Sequence, residues 1–168
     1  MVCACQLPIE TYPDASAWGP ILWAILHGLA ERAGKVPFPQ FYPDERVQWA
    51  KLFGALGKTI PCKTCKEHYD EYLKQHPIHK LKDMGNAELY TYVRTWFWEL
   101  HEWVNGSLEK PTFPIDGLAT TYKSVPFRER LRDLDKPLSL SIKLRGTQII
   151  GYKEFIKCVQ NLLALYGI

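Results

Sequence analysis

The part of this sequence best suited to chemistry is a pair of cysteines, Cys62 and Cys65, separated by two residues. Pro61 precedes the pair, and proline is favoured at the first position of a helix because it lacks an amide hydrogen that would be unpaired there. We therefore expect both thiols in the first turn of a helix, at the positive end of its dipole. That position, together with Lys63 and Lys66, favours the thiolate over the thiol. Two activated thiols at this spacing indicate a redox pair that opens and closes readily.

The remaining cysteines are Cys3, Cys5 and Cys158, so the chain has two close pairs and one single residue. A secreted disulfide scaffold is smaller and denser in cysteine than this chain of 168 residues. The first ten residues, MVCACQLPIE, show neither the basic nor the apolar segment of a secretory signal peptide. We therefore expect an intracellular chain, and close thiol pairs in an intracellular chain indicate redox catalysis or metal binding rather than structural bridges.

Aromatic residues are the compositional outlier, since they make up 13% of the chain and include six Trp and nine Tyr. Core packing is the default role of each ring, but flat rings also suit a planar cofactor. The net charge of +3 is mild, and its basic residues are spread along the chain, so we expect no nucleic-acid partner. No apolar run is long enough to cross a membrane, so we expect no membrane partner.

Hydrophobic periodicity predicts an all-α fold. The main helices are predicted at about 16–32, with Ser16 as its cap, and at about 44–58, 61–75 and 86–105, with a short helical turn near 116–122. The chain length predicts one domain, or one domain with a small appendage.

Both ends of the chain differ in character from this helical part. Residues 1–15 carry two prolines and little periodicity, which predicts a flexible arm that holds the Cys3–Cys5 pair. Near the C-terminus, residues 138–144 alternate with a period of two, which predicts a short strand or extended segment, and a final helix is predicted over 152–166. We therefore divide the chain into the arm (1–15), a helical domain (16–123) and a C-terminal extension (124–168).

Two of the predicted helices carry polar and aromatic residues on one face. Trp23 and His27 are four residues apart on the first helix, and His101 and Asn105 are four apart on the fourth. Each residue alone is most often a satisfied group of the core. Two such faces, on helices that could flank the cysteine pair, describe a slot for a planar, polar ligand.

Metal binding is the alternative use of the cysteine pair. His76 and His79 follow Cys62 and Cys65 in an order close to that of a zinc finger. The spacings are short for that module, and a histidine directly before a proline also matches a helix stop. A helical zinc-binding interaction module that uses these four residues therefore stays open as an alternative.

Three stretches of this sequence, in this order, resemble the Erv/ALR family of FAD-dependent sulfhydryl oxidases. The first runs Gly19-Pro-Ile-Leu-Trp-Ala-Ile-Leu-His27, and the second is the Pro-Cys-x-x-Cys at residues 61–65. The third runs His101-Glu-Trp-Val-Asn-Gly-Ser-Leu-Glu-Lys110-Pro-Thr-Phe. The resemblance covers about residues 16–122, and three motifs in order are far more specific than any one of them.

The resemblance implies a four- or five-helix bundle that binds FAD noncovalently, usually as a homodimer. It implies an enzyme that makes disulfide bonds in protein dithiols, with molecular oxygen as the final acceptor and hydrogen peroxide as product. Cys62 and Cys65 are then the catalytic pair, with Cys65 next to the flavin and Cys62 the sulfur that is attacked. The resemblance assigns cofactor binding to Gly19, Trp23, His27, Cys65, Trp96, His101, Asn105, Lys110 and Tyr122.

The sequence departs from the family pattern at three places. Glu102 stands where the family has an asparagine, and Ile60 stands where an aromatic residue often precedes the Pro-Cys. The further disulfide that family members commonly carry between the redox pair and the fourth helix is missing. The family's shuttle disulfide lies on an arm outside the bundle, and Cys3 with Cys5 is the pair that fits this role.

The resemblance also bears on where the protein works. A disulfide-forming centre without a recognisable signal peptide implies either a virus-encoded enzyme of the host cytoplasm or virion, or an enzyme of the mitochondrial intermembrane space. We expect one of these two locations.

Overall fold

The computed structural model describes residues 11–168, and every regular element within them is helical. Two short 3-10 helices, Pro39–Phe41 and His79–Asp83, lie in the loops. The α-helices are α1 (Ala15–Ala30), α2 (Tyr42–Thr59), α3 (Lys63–Gln75), α4 (Asn86–Ser107), α5 (Gly117–Tyr122), α6 (Phe127–Lys143) and α7 (Ile149–Leu165). The prediction of an all-α fold is confirmed. No described helix is long and apolar enough to cross a membrane.

The first helix begins one residue earlier than predicted. Asp14 is its N-cap, and the Asp14 carboxylate accepts a hydrogen bond from the Ser16 amide at 2.6 Å. An aspartate at this position satisfies an amide that has no partner within the helix. Ser16, predicted as the cap, therefore lies inside the helix.

The core is built from the apolar faces of the long helices. Trp49 and Phe53 of α2, Phe97 of α4 and Phe155 of α7 are fully buried there. The Phe53 and Phe97 rings stack with their centroids 4.9 Å apart. Helix α7 packs along α2, and α6 packs along α1. The core thus positions α1, α3 and α4, which carry the predicted site residues.

Residues 138–144, predicted as an extended segment, belong to α6 and its C-terminal flank, so that prediction is wrong. Leu134, Leu138 and Ser141 are buried at helical spacing on one face of α6. Alternation over a few residues is compatible with a strand or with a helix. The packing of α6 on α1 favours the helix.

The end of the C-terminal extension is bonded into the main core. The Tyr166 hydroxyl donates to the buried Glu45 carboxylate at 2.7 Å and accepts from Trp49 Nε1 at 3.0 Å. Glu45 also accepts from the Gly34 amide at 2.8 Å. The division at residue 124 stays a prediction about sequence units, since α7 and α2 share one core.

Candidate functional site

Cys62 and Cys65 form a disulfide at the start of α3. Helix α2 ends at Thr59 with Ile60 as its C-cap. Cys62 is the N-cap of α3, and its Sγ accepts a hydrogen bond from the Cys65 amide at 3.1 Å. Pro61 therefore lies before the cap, and the prediction that it occupies the first helical position is wrong. Both cysteines are only partly buried, so an incoming thiolate can reach the pair.

The segment that leads into the disulfide is held by a chain of hydroxyl groups. Tyr12 donates to the Pro61 carbonyl, and its hydroxyl oxygen lies 2.8 Å from Ser141 Oγ. Ser141 Oγ lies in turn 2.7 Å from Thr147 Oγ1, and Thr147 donates to the Thr59 carbonyl at 3.2 Å. No motif or periodicity of the sequence pointed to these residues.

Four flat side chains from α1, α4 and α5 meet in one group, which we call the ring stack: Trp23, His27, His101 and Tyr122. The Trp23 and His101 rings are nearly parallel, with centroids 3.9 Å apart and planes inclined by 6°. His27 stacks on Tyr122 at 4.8 Å and on His101 at 5.2 Å. The structure thus brings together four of the predicted cofactor residues.

The ring stack is closed on itself. A separation of 3.9 Å between Trp23 and His101 is a single stacking distance, so no third ring fits between them. A planar ligand therefore has to lie against an outer face of the ring stack. In this structure the predicted slot between the helices is filled by the side chains that line it.

The two histidines of the ring stack are both uncharged at pH 7. Burial, reinforced by the proximity of His101, lowers the pKa of His27 from 6.5 to about 3. Burial also lowers the pKa of His101 to about 4, although Glu102 acts in the opposite direction. His27 Nε2 and His101 Nδ1 are 3.0 Å apart, so one of these neutral rings donates to the other.

His27 also supplies an unpaired polar atom. Its side chain is 1% exposed, and its Nδ1 has no hydrogen-bond partner among the described residues. Leaving such an atom unpaired costs about 1–3 kcal/mol, so a polar ligand that reached it would be favoured. Gly19 lies just over two turns before His27 on α1, and the space where its Cβ would be is open.

Asn105 and Lys110 belong to a turn that Glu102 holds together. Glu102 Oε1 accepts from Asn105 Nδ2 and from the Phe113 amide, both at 3.1 Å. The Lys110 amide donates to the Asn105 carbonyl at 2.9 Å, and Glu109 between them adopts a positive φ of 53°. A carboxylate thus ties the end of α4 to the following segment, at the position where the family pattern has an asparagine.

Trp96 lies apart from the ring stack, in the core. It is 3% exposed, its Nε1 donates to the His76 carbonyl at 3.0 Å, and its ring meets Phe53 edge-on at 4.6 Å. Its predicted contact with the cofactor stays a prediction. Cys3 and Cys5 lie outside the described residues.

The described residues give no support to the zinc alternative. They contain no group of three or more His, Cys, Asp or Glu side chains that could hold a metal ion. His76 instead stacks on Tyr72 at 4.1 Å, and its Nδ1 lies 3.1 Å from the Tyr72 carbonyl oxygen.

Comparison with known proteins identifies the family. The model of the Erv1 / Alr family matches residues 20–124, which is more than half of the chain. The chain belongs to the Erv1 / Alr family. The matched region runs from α1 to α5 and ends before α6, so the family pattern includes the ring stack and the disulfide but not the last two helices.

Individual relatives agree with this family. A rice protein (Oryza sativa subsp. japonica) named FAD-linked sulfhydryl oxidase ERV1 is 30% identical over 117 residues, which cover 70% of this chain and 55% of the relative. The Arabidopsis thaliana protein of the same name is 27% identical over 116 residues, 69% of this chain and 55% of the relative. A putative FAD-linked sulfhydryl oxidase, 088R of Frog virus 3, is 30% identical over 97 residues, 57% of this chain and 59% of the relative.

The chain spans between 55% and 59% of the length of these three relatives. No solved structure matches it significantly. The family predicted from the three sequence motifs is thus confirmed.

Proposed function

We propose that this protein is an FAD-linked sulfhydryl oxidase that makes disulfide bonds in protein dithiols. The observation that carries the proposal is the accessible Cys62–Cys65 disulfide at the N-terminus of α3, in a chain of the Erv1 / Alr family. The names of the rice, Arabidopsis and Frog virus 3 relatives support both the cofactor and the reaction class. Molecular oxygen is the proposed electron acceptor, and the protein acts as a homodimer.

The viral relative supports one of the two expected locations. We propose a virus-encoded enzyme that works in the host cytoplasm or the virion. The mitochondrial intermembrane space is the alternative location.

The residues of the ring stack fit a flavin nucleotide. They offer flat, uncharged surfaces for stacking and the unpaired Nδ1 of His27 as a polar contact. Open space lies beside Gly19, one turn before Trp23 on α1. Asn105 and the exposed Lys110 stand at the end of α4, where a cation favours negative charge on a bound group. When bound, FAD accepts two electrons from a dithiol and delivers them to oxygen.

The chain's own chemistry is thiol–disulfide exchange at α3. A substrate thiolate attacks Cys62 Sγ, the Cys62–Cys65 bond breaks, and Cys65 leaves as a thiolate. The positive end of the α3 dipole stabilises that negative charge. A second substrate thiolate then attacks the substrate sulfur of the mixed disulfide, which releases the oxidised substrate and leaves two electrons on the pair.

The visible spectrum of the purified protein tests the proposal first. A yellow protein with stoichiometric flavin is expected, whereas a colourless protein with stoichiometric zinc would favour the interaction module instead.

The reaction is tested by removing the thiol assigned to the flavin side. Cys65→Ser should lower dithiothreitol oxidation by about 1000-fold or more, because the pair can no longer close, and should leave FAD bound. Oxygen consumption and flavin absorbance measure the two effects. Cys158→Ala removes a cysteine far along the sequence and should keep turnover, and normal turnover in Cys65→Ser would rule out the assigned role.

A further inference from the structure

We propose that an apolar patch beside the disulfide, together with a groove that continues it between α6 and α7, is the docking surface for the protein substrate. The apolar patch comprises Tyr12, Leu144, Ile149 and Ile150. The partner that fits this surface is an extended segment of a protein dithiol with apolar and acidic residues next to its cysteines. The inference rests on the proposed function, because it concerns the protein dithiol that has to reach Cys62.

The apolar patch exposes large side chains that the rest of the fold leaves uncovered. Ile150 is 76% exposed, Ile149 50%, Tyr12 42% and Leu144 38%. Three of the four lie between residues 144 and 150, at the junction of α6 and α7. Single exposed apolar residues are common on protein surfaces, whereas grouped ones mark sites of interaction.

Tyr12 joins the apolar patch to the redox segment. Its hydroxyl donates to the carbonyl of Pro61, the residue directly before Cys62. Its ring lies against Gly146, where a Cβ would overlap the ring atoms. The loop between α6 and α7 is therefore packed against the segment that leads into the disulfide.

The start of α7 is held just as closely against the end of α2. Thr147 donates to the Thr59 carbonyl at 3.2 Å, and the Thr59 hydroxyl lies 3.3 Å from the Gly151 carbonyl oxygen. A Cβ on Gly151 would come within 2.3 Å of Lys58 Cβ, so a glycine is needed for this close approach. Cys62 follows three residues after Thr59, so a polypeptide on the apolar patch has its neighbouring residues within reach of the sulfur that is attacked.

The groove between α6 and α7 extends the apolar patch away from the disulfide. It has a volume of about 730 Å³, which is large enough to take apolar side chains of a bound segment. Its apolar walls are formed by Leu131 and Ile142 of α6 and by Ile149, Tyr152 and Ile156 of α7. Ile149 belongs to both the apolar patch and the groove, so the two form one continuous surface.

The charge along this surface is mainly positive. Lys153 and Lys157 lie one turn apart on α7 and line the groove, and none of the ion pairs within residues 11–168 includes either of them. Arg145 is exposed beside the apolar patch. Asp135 also lines the groove, but its carboxylate accepts a hydrogen bond from the Tyr152 hydroxyl at 3.0 Å. Complementary charge therefore favours an acidic partner over a basic one.

The docking surface belongs almost entirely to the C-terminal extension. The family match ends at residue 124, whereas Leu144, Ile149, Ile150 and both helices of the groove lie beyond it. The extension thereby gains a role: it selects which polypeptides present their cysteines to a redox centre that the family pattern supplies.

Two synthetic peptides test the apolar part of the surface. One carries Cys-x-x-Cys flanked by leucine and glutamate, and the other has serine and glycine in place of these flanking residues. The unaltered protein should oxidise the first with a kcat/KM about tenfold higher, a factor that corresponds to burying part of one large aliphatic side chain. The Ile149→Ser, Ile150→Ser double variant should lose this preference.

Dithiothreitol and a matched variant serve as controls. Relative to dithiothreitol oxidation, the double variant should lose about tenfold in kcat/KM for the leucine–glutamate peptide. Ile168→Ser replaces an isoleucine that is 62% exposed at the opposite end of α7, and it should keep both the ratio and the preference.

A binding measurement tests the charges without turnover. The leucine–glutamate peptide with serine in place of both cysteines, labelled with fluorescein, should bind the flavin-loaded protein, and fluorescence anisotropy measures its affinity. Lys153→Gln, Lys157→Gln should weaken this binding several-fold at low salt and less at high salt. Lys80→Gln, Lys82→Gln, at two exposed lysines outside the groove, should leave it unchanged. Equal binding to both double variants would overturn the inference.

Sedimentation equilibrium tests a second copy of this chain as the occupant instead. The Ile149→Ser, Ile150→Ser variant should keep the molar mass of the unaltered protein. A variant with a lower molar mass would assign the apolar patch to contact between copies and overturn the inference.

The outcomes separate the inference from the proposed function. Equal turnover of the two peptides by the unaltered protein, or equal losses on peptide and dithiothreitol in the isoleucine variant, would overturn the inference alone. Failure of the unaltered, flavin-loaded protein to oxidise either peptide or dithiothreitol would overturn both the inference and the proposed function.

Discussion

The ring stack and the aromatic core cluster, which comprises Phe53, Tyr69, Tyr72, Trp96 and Phe97, both pack flat side chains around α4, and they treat their polar atoms differently. In the core cluster Tyr69 donates to the Phe53 carbonyl at 2.7 Å, and Trp96 donates to the His76 carbonyl at 3.0 Å. In the ring stack His27 Nδ1 is buried and unpaired. Aromatic content alone therefore does not distinguish these two clusters, whereas the unpaired Nδ1 of His27 does.

The largest effect is expected in the core cluster. Phe53→Ala removes a fully buried ring that stacks on Phe97, and should lower the free energy of unfolding by about 3–5 kcal/mol. Denaturant unfolding of the flavin-free protein measures it. Phe38→Ala, at a ring that is 56% exposed, is the control and should change stability little. A small loss for Phe53→Ala would contradict the assignment of this cluster as core.

The ring stack should instead make the free energy of unfolding depend on pH. The pKa values of His27 and His101 fall from 6.5 to about 3 and about 4 on folding, so the unfolded chain binds more protons between those values and pH 6.5. Stability should therefore fall as the pH is lowered from 6.5 towards 4, by up to about 1.4 kcal/mol per pH unit for each histidine. Unfolding of the flavin-free protein at several pH values measures the slope.

A variant pair assigns that slope to the ring stack. His27→Gln should make the pH dependence shallower, whereas His79→Gln replaces an exposed histidine outside the stack and should keep it. Identical slopes in the two variants would show that the pH dependence arises elsewhere.

Cofactor retention is the next effect in size. His101→Ala and Lys110→Ala should each weaken FAD binding by about tenfold, or about 1.4 kcal/mol. Since a ligand that binds only the folded state stabilises it by mass action, both should lower Tm in the presence of FAD. Flavin fluorescence after gel filtration measures retention. Lys80→Ala, at another exposed lysine, serves as the control, and full occupancy in both variants would count against the ring stack as the cofactor site.

The smallest effect is expected at Trp96. The test there is whether the substitution changes stability or FAD affinity. Trp96→Phe loses the hydrogen bond to the His76 carbonyl and should lower the free energy of unfolding by about 1 kcal/mol while FAD affinity stays unchanged. Isothermal titration with FAD measures the affinity. A clear loss of affinity would place Trp96 with the ring stack, as the family resemblance implies.

Strong periodicity made the long helices other than α6 predictable. Helix α4 was predicted at 86–105 and spans Asn86–Ser107, because its apolar positions repeat over five turns. The alternation at 138–144 was too short to decide between two periods, and the contact of α6 with α1 decided it. Helix ends depended on single side chains, such as Asp14 in place of Ser16.

The members of the ring stack could be predicted from the sequence to a greater extent than the geometry of their contacts. Helical spacing placed Trp23 with His27 on one face, but spacing does not set how far one helix lies from the next, so the direct contact of Trp23 with His101 could not be foreseen. The hydrogen-bonded chain of Tyr12, Ser141 and Thr147 could not be predicted for a related reason. Tyr12 and Ser141 are 129 residues apart in the chain, and no local pattern encodes such a pairing.

The reactivity of the Cys158 thiol can report how often the packing of α7 opens. It lies on α7, 3% exposed, as a free thiol, and burial raises the pKa of that thiol. Burial shields this thiol from reagents, and its raised pKa keeps it protonated. We therefore expect Cys158 to take no part in the exchange at Cys62. A water-soluble alkylating reagent can modify Cys158 only when α7 separates from α2. The labelling rate therefore measures how often this part of the native core opens.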